Sequence, residues 1–201
     1  MEVNRTVNVL GLLKSVFPAL FTFLAGLAGV WLGVRQVRVE KSISFVQMQL
    51  DRLYSPMLGI RYSIKAKSEL RIEVSRAAEA TWQEIVKRHE GQLGWNSDEE
   101  FEPFGKIIDY ENTELHGELL PGYSEMLRIF TENLWLAEPE TRTYYSELSR
   151  FVDIWNRWNA KSIPRDVLRL IDHSEDRLNA FYQHLETTVD SLKARLPGKK
   201  A

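Results

Sequence analysis

The residues whose types could do chemistry in this chain of 201 residues are its histidines and its clustered carboxylates. The histidines, which are His89, His116, His173 and His184, have neither an i,i+4 nor an H-x-x-E-H spacing, the arrangements by which helices bind zinc. The chain has no cysteine, which removes disulfides, thiol nucleophiles and thiolate metal ligands. We therefore expect no metal site and no cofactor.

The tetrad His173-Ser174-Glu175-Asp176 contains the side chains of a hydrolase triad. Four consecutive residues of a helix point in different directions, whereas a triad works by geometry rather than adjacency. We interpret this tetrad as a solvated helix surface. Motifs for phosphate binding, dinucleotide binding, a nucleophile elbow and a zinc protease are also missing from the sequence. The sequence therefore predicts a protein that is not an enzyme and has no catalytic residues.

Between Ser97 and Glu118 there are eight acidic residues and one base, Lys106. Convergent carboxylates could act as acid and base or hold a hard cation, but their spacing here matches no calcium loop. Asp98, Glu99 and Glu100 would favour a helix start by complementing its dipole. We interpret the segment as a charged loop containing a short helix, which keeps the domain soluble or meets a basic partner.

A basic series precedes this segment and consists of Arg61, Lys65, Lys67 and Arg71. Arg61 with Lys65, and Lys67 with Arg71, are i,i+4 neighbours on one helix. They are candidates for binding an anionic small molecule or lipid headgroups. Glutamates lie between them, so an ordinary surface of mixed charge is the alternative. The net charge of −2 gives no attraction to nucleic acid, and we expect no specific nucleic-acid binding.

The strongest pattern in the sequence is the uncharged stretch Val16–Val34, nineteen residues long. About 20 apolar residues in a helix span a hydrocarbon core, so the stretch predicts a transmembrane helix. A buried core helix and a cleaved signal peptide are the alternatives. Arg35, Arg38 and Lys41 follow it, and the positive-inside rule then favours a single-pass protein of the cell membrane with a cytoplasmic C-terminal domain.

Small residues recur at four-residue intervals in this stretch, at Ala25, Gly29 and Gly33. Such a face lets two helices approach closely in lipid, although glycine and alanine are common in membrane helices and the spacing can arise by chance. The face is a candidate for packing between copies, and we expect a homo-oligomer.

A heptad pattern follows the apolar stretch and indicates that the helix continues beyond the bilayer as a juxtamembrane stalk. Its apolar positions alternate in steps of four and three: Val39, Ile43, Val46, Leu50 and Leu53. The same seam could form a short coiled coil or dock onto the chain's own domain. Ser55-Pro56 then predicts the start of a new helix or a kink.

The remaining sequence predicts an all-α fold. Helical periodicity favours helices near residues 56–89, 121–136, 139–161 and 165–196, and no alternating segment supports a strand. Four to five helices with short connections should form an antiparallel bundle. The predicted organisation is an anchor at 1–36, a stalk at 37–55, a bundle at 56–196 and a tail at 197–201.

These patterns favour a membrane-anchored interaction or scaffold protein that self-associates through its transmembrane and juxtamembrane helices. Its expected partners are the lipid bilayer, its own copies and another protein. An alternative is a ligand-gated membrane effector that senses an anionic small molecule or nucleotide and whose anchors disturb the bilayer. Its layout resembles bacterial antiviral-defence effectors, which join a short membrane segment to a cytoplasmic sensor domain, but no residue motif supports that resemblance. A third hypothesis is an enzyme built on the acidic segment.

Overall fold

The computed structural model describes residues 31–92 and 95–197, and all regular structure in these ranges is helical. This confirms the predicted all-α class and helical bundle. Helix α1 occupies residues 31–49 of the described chain. The other long helices are α2 (Ser55–Arg88), α3 (Ser97–Glu114), α4 (Leu120–Glu132), α6 (Tyr145–Asn159) and α8 (Asn179–Ala194). The short helices are α5 (Pro139–Thr143) and α7 (Arg165–Leu170).

Within the described ranges, every helix is too short or too polar to traverse a lipid bilayer. Most of the predicted span Val16–Val34 lies outside those ranges, as do Ala25 and Gly29. Its last four residues, 31–34, are helical and exposed.

Contacts divide the chain into two compact units with a boundary between Gln47 and Met48. In the first unit, residues 31–42 are exposed, and the Arg35 guanidinium carbon lies 5.6 Å from the centroid of the Trp31 ring. The domain bounds predicted from the sequence stay predictions.

The second unit has an aromatic and aliphatic core between α2, α4, α6 and α8. Phe130 of α4 stacks on Phe181 of α8, with centroids 5.8 Å apart and ring planes 3° apart. Gly122 permits a close approach of α4 to α2, because a Cβ at this position would lie 3.2 Å from Ile64 Cδ1. The core therefore forms around the N-terminal part of α2.

A row of hydrogen bonds crosses this core. The Tyr54 hydroxyl accepts the backbone N–H of Glu138 at 2.9 Å and lies 2.8 Å from Thr141 Oγ1. Thr141 Oγ1 in turn lies 2.8 Å from His184 Nε2. Tyr54 and Thr141 are fully buried, so these bonds satisfy polar atoms that water cannot reach.

The backbone at the predicted kink remains helical but widens. Residues Leu50–Tyr54 form a π-helical turn, in which the Ser55 N–H bonds to the Leu50 carbonyl. Pro56 lies in the first turn of α2 and cannot donate a helical hydrogen bond. A new helix therefore begins at Ser55 without a loop before it.

Two predicted segments differ from the structure. The acidic segment is not a loop with a short helix, because α3 spans 18 residues and leads through a π-helical turn, Leu115–Leu119, into α4. The Asn96 side chain caps α3 by accepting the Asp98 N–H, and three acids lie in its first turn. These features stabilise the helix despite Pro103.

The predicted last helix, 165–196, is interrupted. α7 ends at Leu170, a 3₁₀ turn covers Glu175–Leu178, and α8 follows. In the interruption, Asp172 Oδ1 accepts the Ser174 N–H at 3.2 Å and Ser174 Oγ accepts the Asp176 N–H at 3.1 Å. Side-chain oxygens thus replace helical carbonyls as acceptors.

Candidate functional site

Residues 67–88 of α2 pack against α3 outside the bundle core. We call this pair of helices the α2–α3 hairpin. None of the residues of α3 is fully buried, although the helix carries five large apolar or aromatic side chains, Phe101, Phe104, Ile107, Ile108 and Tyr110. A helix pair of this kind depends on its own facing side chains rather than on the bundle core.

Ion pairs align the two helices. Lys67 Nζ lies 3.8 Å from Glu114 Oε1 and also contacts the Glu118 carboxylate. Arg71 Nε lies 3.7 Å from Glu111 Oε2, whose other oxygen accepts the Ser75 hydroxyl at 2.8 Å. The basic series and the acidic segment, which the sequence analysis treated separately, therefore neutralise each other.

The other candidate anion-binding residues also have partners. Arg61 Nη1 lies 2.6 Å from Glu175 Oε1, and its side chain is only 14% exposed. Lys65 lies 3.9 Å from Glu69 on the same helix and is well exposed. The four bases do not converge on a common ligand space, and their role in binding an anion stays a prediction.

The Arg61 guanidinium carbon also lies 3.9 Å from the centroid of the Tyr182 ring. Burial raises the pKa of Tyr182 and of Tyr123 far above the usual range for tyrosine, and the Glu175 carboxylate raises both further. These two phenols therefore stay protonated well above neutral pH.

Aromatic rings hold the far end of the hairpin together. The Trp82 ring centroid lies 5.0 Å from that of Phe101 and 5.5 Å from that of Phe104, both in edge contacts. The Trp95 ring stacks on His89, with centroids 5.1 Å apart. This cluster was not predicted; its signal in the sequence was Phe101 and Phe104, three residues apart in an otherwise acidic segment.

Two grooves lie beside these contacts. The first, of about 300 Å³, includes Leu70, Val74, Tyr110 and Lys106 in its lining, and we call this side the first flank. Leu70 is 61% exposed and Tyr110 is 69% exposed. The apolar side chains of this flank are therefore open to solvent.

The second groove has a volume of about 230 Å³ and includes Glu79, Trp82, Phe101 and Ile108 in its lining; this is the second flank. Ile108 and Tyr110 are about 200° apart around α3, so the two flanks face different directions. The exposed apolar side chains on both flanks make the hairpin a candidate interaction surface.

The predicted juxtamembrane seam changes its environment along the chain. Val39 is exposed, Ile43 is half-buried, and Val46, Leu50 and Leu53 are buried. A Cβ added at Gly33 would meet no atom within 4 Å, so the backbone of another helix has room to approach this residue. Neither observation tests packing between copies.

In the part of the chain that the structure describes, no three His, Asp or Glu side chains are grouped to hold a metal ion. Three carboxylates of α3 lie in its first turn, and Glu111 and Glu114 form ion pairs with α2. The chain matches no protein-family model, no curated protein and no solved structure.

Proposed function

We propose that this chain is a membrane-anchored, non-enzymatic interaction protein that associates with copies of itself. The observation that supports this function best is the α2–α3 hairpin, which exposes apolar side chains on two flanks. Exposed apolar surface in a well-ordered helix pair costs solubility unless a partner covers it. Association is therefore a better account of the hairpin than catalysis.

The occupant that we propose for each flank is the opposite flank of a second copy. The charged residues lining the first flank are Arg71, Lys106, Glu111 and Glu114, and those lining the second flank are Glu79 and Glu111. Glu111 pairs with Arg71, whereas Lys106 pairs with Glu102 of the same helix, at 2.8 Å on an exposed face. Because exposed pairs of this kind are weak, Lys106 can exchange Glu102 for Glu79 of another copy. Such head-to-tail contacts build a ring or a filament rather than a simple dimer.

The anchor in this proposal is the stretch Val16–Val34, with a cytoplasmic domain after it. Its support comes from the apolar sequence, from Arg35, Arg38 and Lys41, and from exposed apolar residues at its described end, which include Trp31 and Leu32. Lipid or another copy of the helix would cover these side chains. The small-residue face Ala25, Gly29 and Gly33 would add a second contact within the bilayer.

The self-association is tested by charge exchange on the full chain in detergent, with mass measured by light scattering. Lys106→Glu and Glu79→Lys should each lower the associated fraction, and a mixture of the two single variants should restore it, because each mixed contact again joins opposite charges. Lys193→Glu, an equal charge change on α8, should have no effect. A wild-type chain that stays monomeric up to high micromolar concentration would refute the proposal.

The orientation has a separate test, because the chain has no cysteine. Asp109→Cys introduces one thiol on the solvent side of α3. A maleimide that cannot cross membranes should label this thiol only after the cells are permeabilised. Labelling in intact cells would place the domain outside.

The ligand-gated membrane effector is the second candidate. Among its sequence-based candidates for an anion site, Arg61, Lys67 and Arg71 already contact carboxylates of the same chain. The effector therefore needs a ligand site elsewhere in the bundle.

A further inference from the structure

A cleft of about 510 Å³ lies between the π-helical turn Leu115–Leu119 and the C-terminal end of α6. Its lining consists of His116, Trp158, Asn159, Lys161, Ile163 and Pro164. Small-molecule sites in proteins have volumes of about 300 to 1,000 Å³. The cleft is large enough for one such ligand.

Lys161 has a backbone φ of +54°, the left-handed region that side chains other than glycine avoid. It follows α6, where the Lys161 N–H bonds to the Trp158 carbonyl and the Ser162 N–H bonds to the Arg157 carbonyl, each at 2.9 Å. This helix ending usually has glycine at the position of Lys161. Lysine carries a backbone strain here that glycine would not, and its positive charge complements the C-terminal end of the α6 dipole. The strained position leaves the Lys161 side chain available for a further role.

The opposite wall is irregular as well. His116 lies in the π-helical turn between α3 and α4. Single π-helical turns are rare and occur often at functional sites. Each wall of the cleft thus combines a departure from regular α-helix with a basic side chain.

The side chains offer complementary contacts to a planar anion. Trp158 is half-buried, and no aromatic partner contacts its ring within residues 31–92 and 95–197. Lys161 and His116 are exposed, and no carboxylate pairs with either in those same ranges. A ring can stack on Trp158, the Asn159 amide can bond its polar edge, and Lys161 and His116 can meet a phosphate.

We propose that this cleft binds a nucleotide, with its base against Trp158 and its phosphate at Lys161 and His116. The inference goes beyond self-association and does not depend on it, since the cleft lies outside both flanks of the hairpin.

The test uses the full chain in detergent and calorimetric titration with AMP, GMP, CMP and UMP. At least one nucleotide should bind, while adenosine and inorganic phosphate should each bind at least about tenfold more weakly, because each makes only part of the contacts. Binding of phosphate as tight as that of every nucleotide would overturn the stacking contact. Absence of binding for all four nucleotides at millimolar concentration would overturn the proposal.

Lys161→Gly separates binding from folding. It should raise the melting temperature by about 2 to 4 °C, because glycine relieves the backbone strain, and yet weaken nucleotide binding at least about tenfold. Lys161→Arg, which keeps the positive charge, should retain most of the binding. A Lys161→Gly variant that binds like the wild type would contradict the assignment.

Discussion

Arg61 and Glu175, which are 114 positions apart in the sequence, form an ion pair of 2.6 Å across the bundle. The pair links α2 to the 3₁₀ turn before α8, and the Arg61 guanidinium also lies against the Tyr182 ring. It is more enclosed than the other arginine pairs of the described chain, because only 14% of the Arg61 side chain is exposed.

Arg61→Ala should lower the free energy of unfolding by about 2 to 3 kcal/mol, because it leaves the Glu175 carboxylate without its partner and removes packing on Tyr182. Urea unfolding measures the change. Arg128→Ala is the matched control, since Arg128 pairs with Glu125 and Glu132 on an exposed face and should matter little. If the two substitutions lowered the free energy of unfolding equally, the enclosed pair would stabilise the fold no more than an exposed one.

Tyr54→Phe should lower the free energy of unfolding by about 1 to 3 kcal/mol, because the Glu138 N–H and the Thr141 hydroxyl each lose a buried hydrogen-bond partner. Thermal unfolding followed by circular dichroism measures it. Tyr110→Phe removes the same atom from a side chain that is 69% exposed and should have no effect. A stable Tyr54→Phe variant would mean that water replaces the hydroxyl.

Stability should fall as the pH rises above about 10. Burial raises the pKa of Tyr54, Tyr123 and Tyr182 in the folded state, whereas the unfolded phenols ionise near their ordinary pKa of about 10. Above that pH the unfolded state has lost protons that the folded state keeps, so each such tyrosine costs up to about 1.4 kcal/mol per pH unit. Urea unfolding between pH 8 and 11.5 should show this decline.

Tyr123→Phe should flatten that alkaline decline, while Tyr110→Phe should leave it unchanged. An unaltered slope in the Tyr123→Phe variant would mean that this phenol ionises equally in both states.

Helix α3 should exchange its amide hydrogens faster than α8. None of the residues of α3 is fully buried, whereas α8 buries six side chains in the core, Phe181, Tyr182, Leu185, Thr188, Val189 and Leu192. Local opening of α3 therefore exposes little apolar surface. Exchange followed by mass spectrometry on peptides from each helix measures the difference, and equal protection would show that α3 opens only with the whole bundle.

Much of the bundle could be predicted from periodicity, because burial on one helix face imposes it directly. In α6, Leu148, Phe151 and Val152 recur at helical spacing and are buried, and the helix predicted near residues 56–89 matches α2 to within a residue at each end. The interruption before α8 was not predicted. Ser174 and Asp176 were interpreted as helix surface, and Asp172 lay within the same predicted helix, although side chains of these types compete for backbone N–H groups.

The site was harder to predict than the fold. The sequence contains the bases of α2 and the acids of α3, but nothing local states that Arg71 lies beside Glu111. That pairing depends on how two helices align after folding. Likewise the left-handed backbone conformation of Lys161 could not be predicted, because it depends on where α6 ends.

The π-helical turn Leu115–Leu119 makes the hairpin tolerant of a change in chain length at one place. It completes about one revolution with one residue more than an α-helical turn. Deleting one residue within it would therefore leave a regular helix in nearly the same orientation and keep Glu111 beside Arg71. A deletion between Phe104 and Glu111 would instead rotate the two parts of α3 by about 100° relative to each other. Related chains that keep this hairpin should therefore accept a one-residue deletion within Leu115–Leu119 but not in the middle of α3.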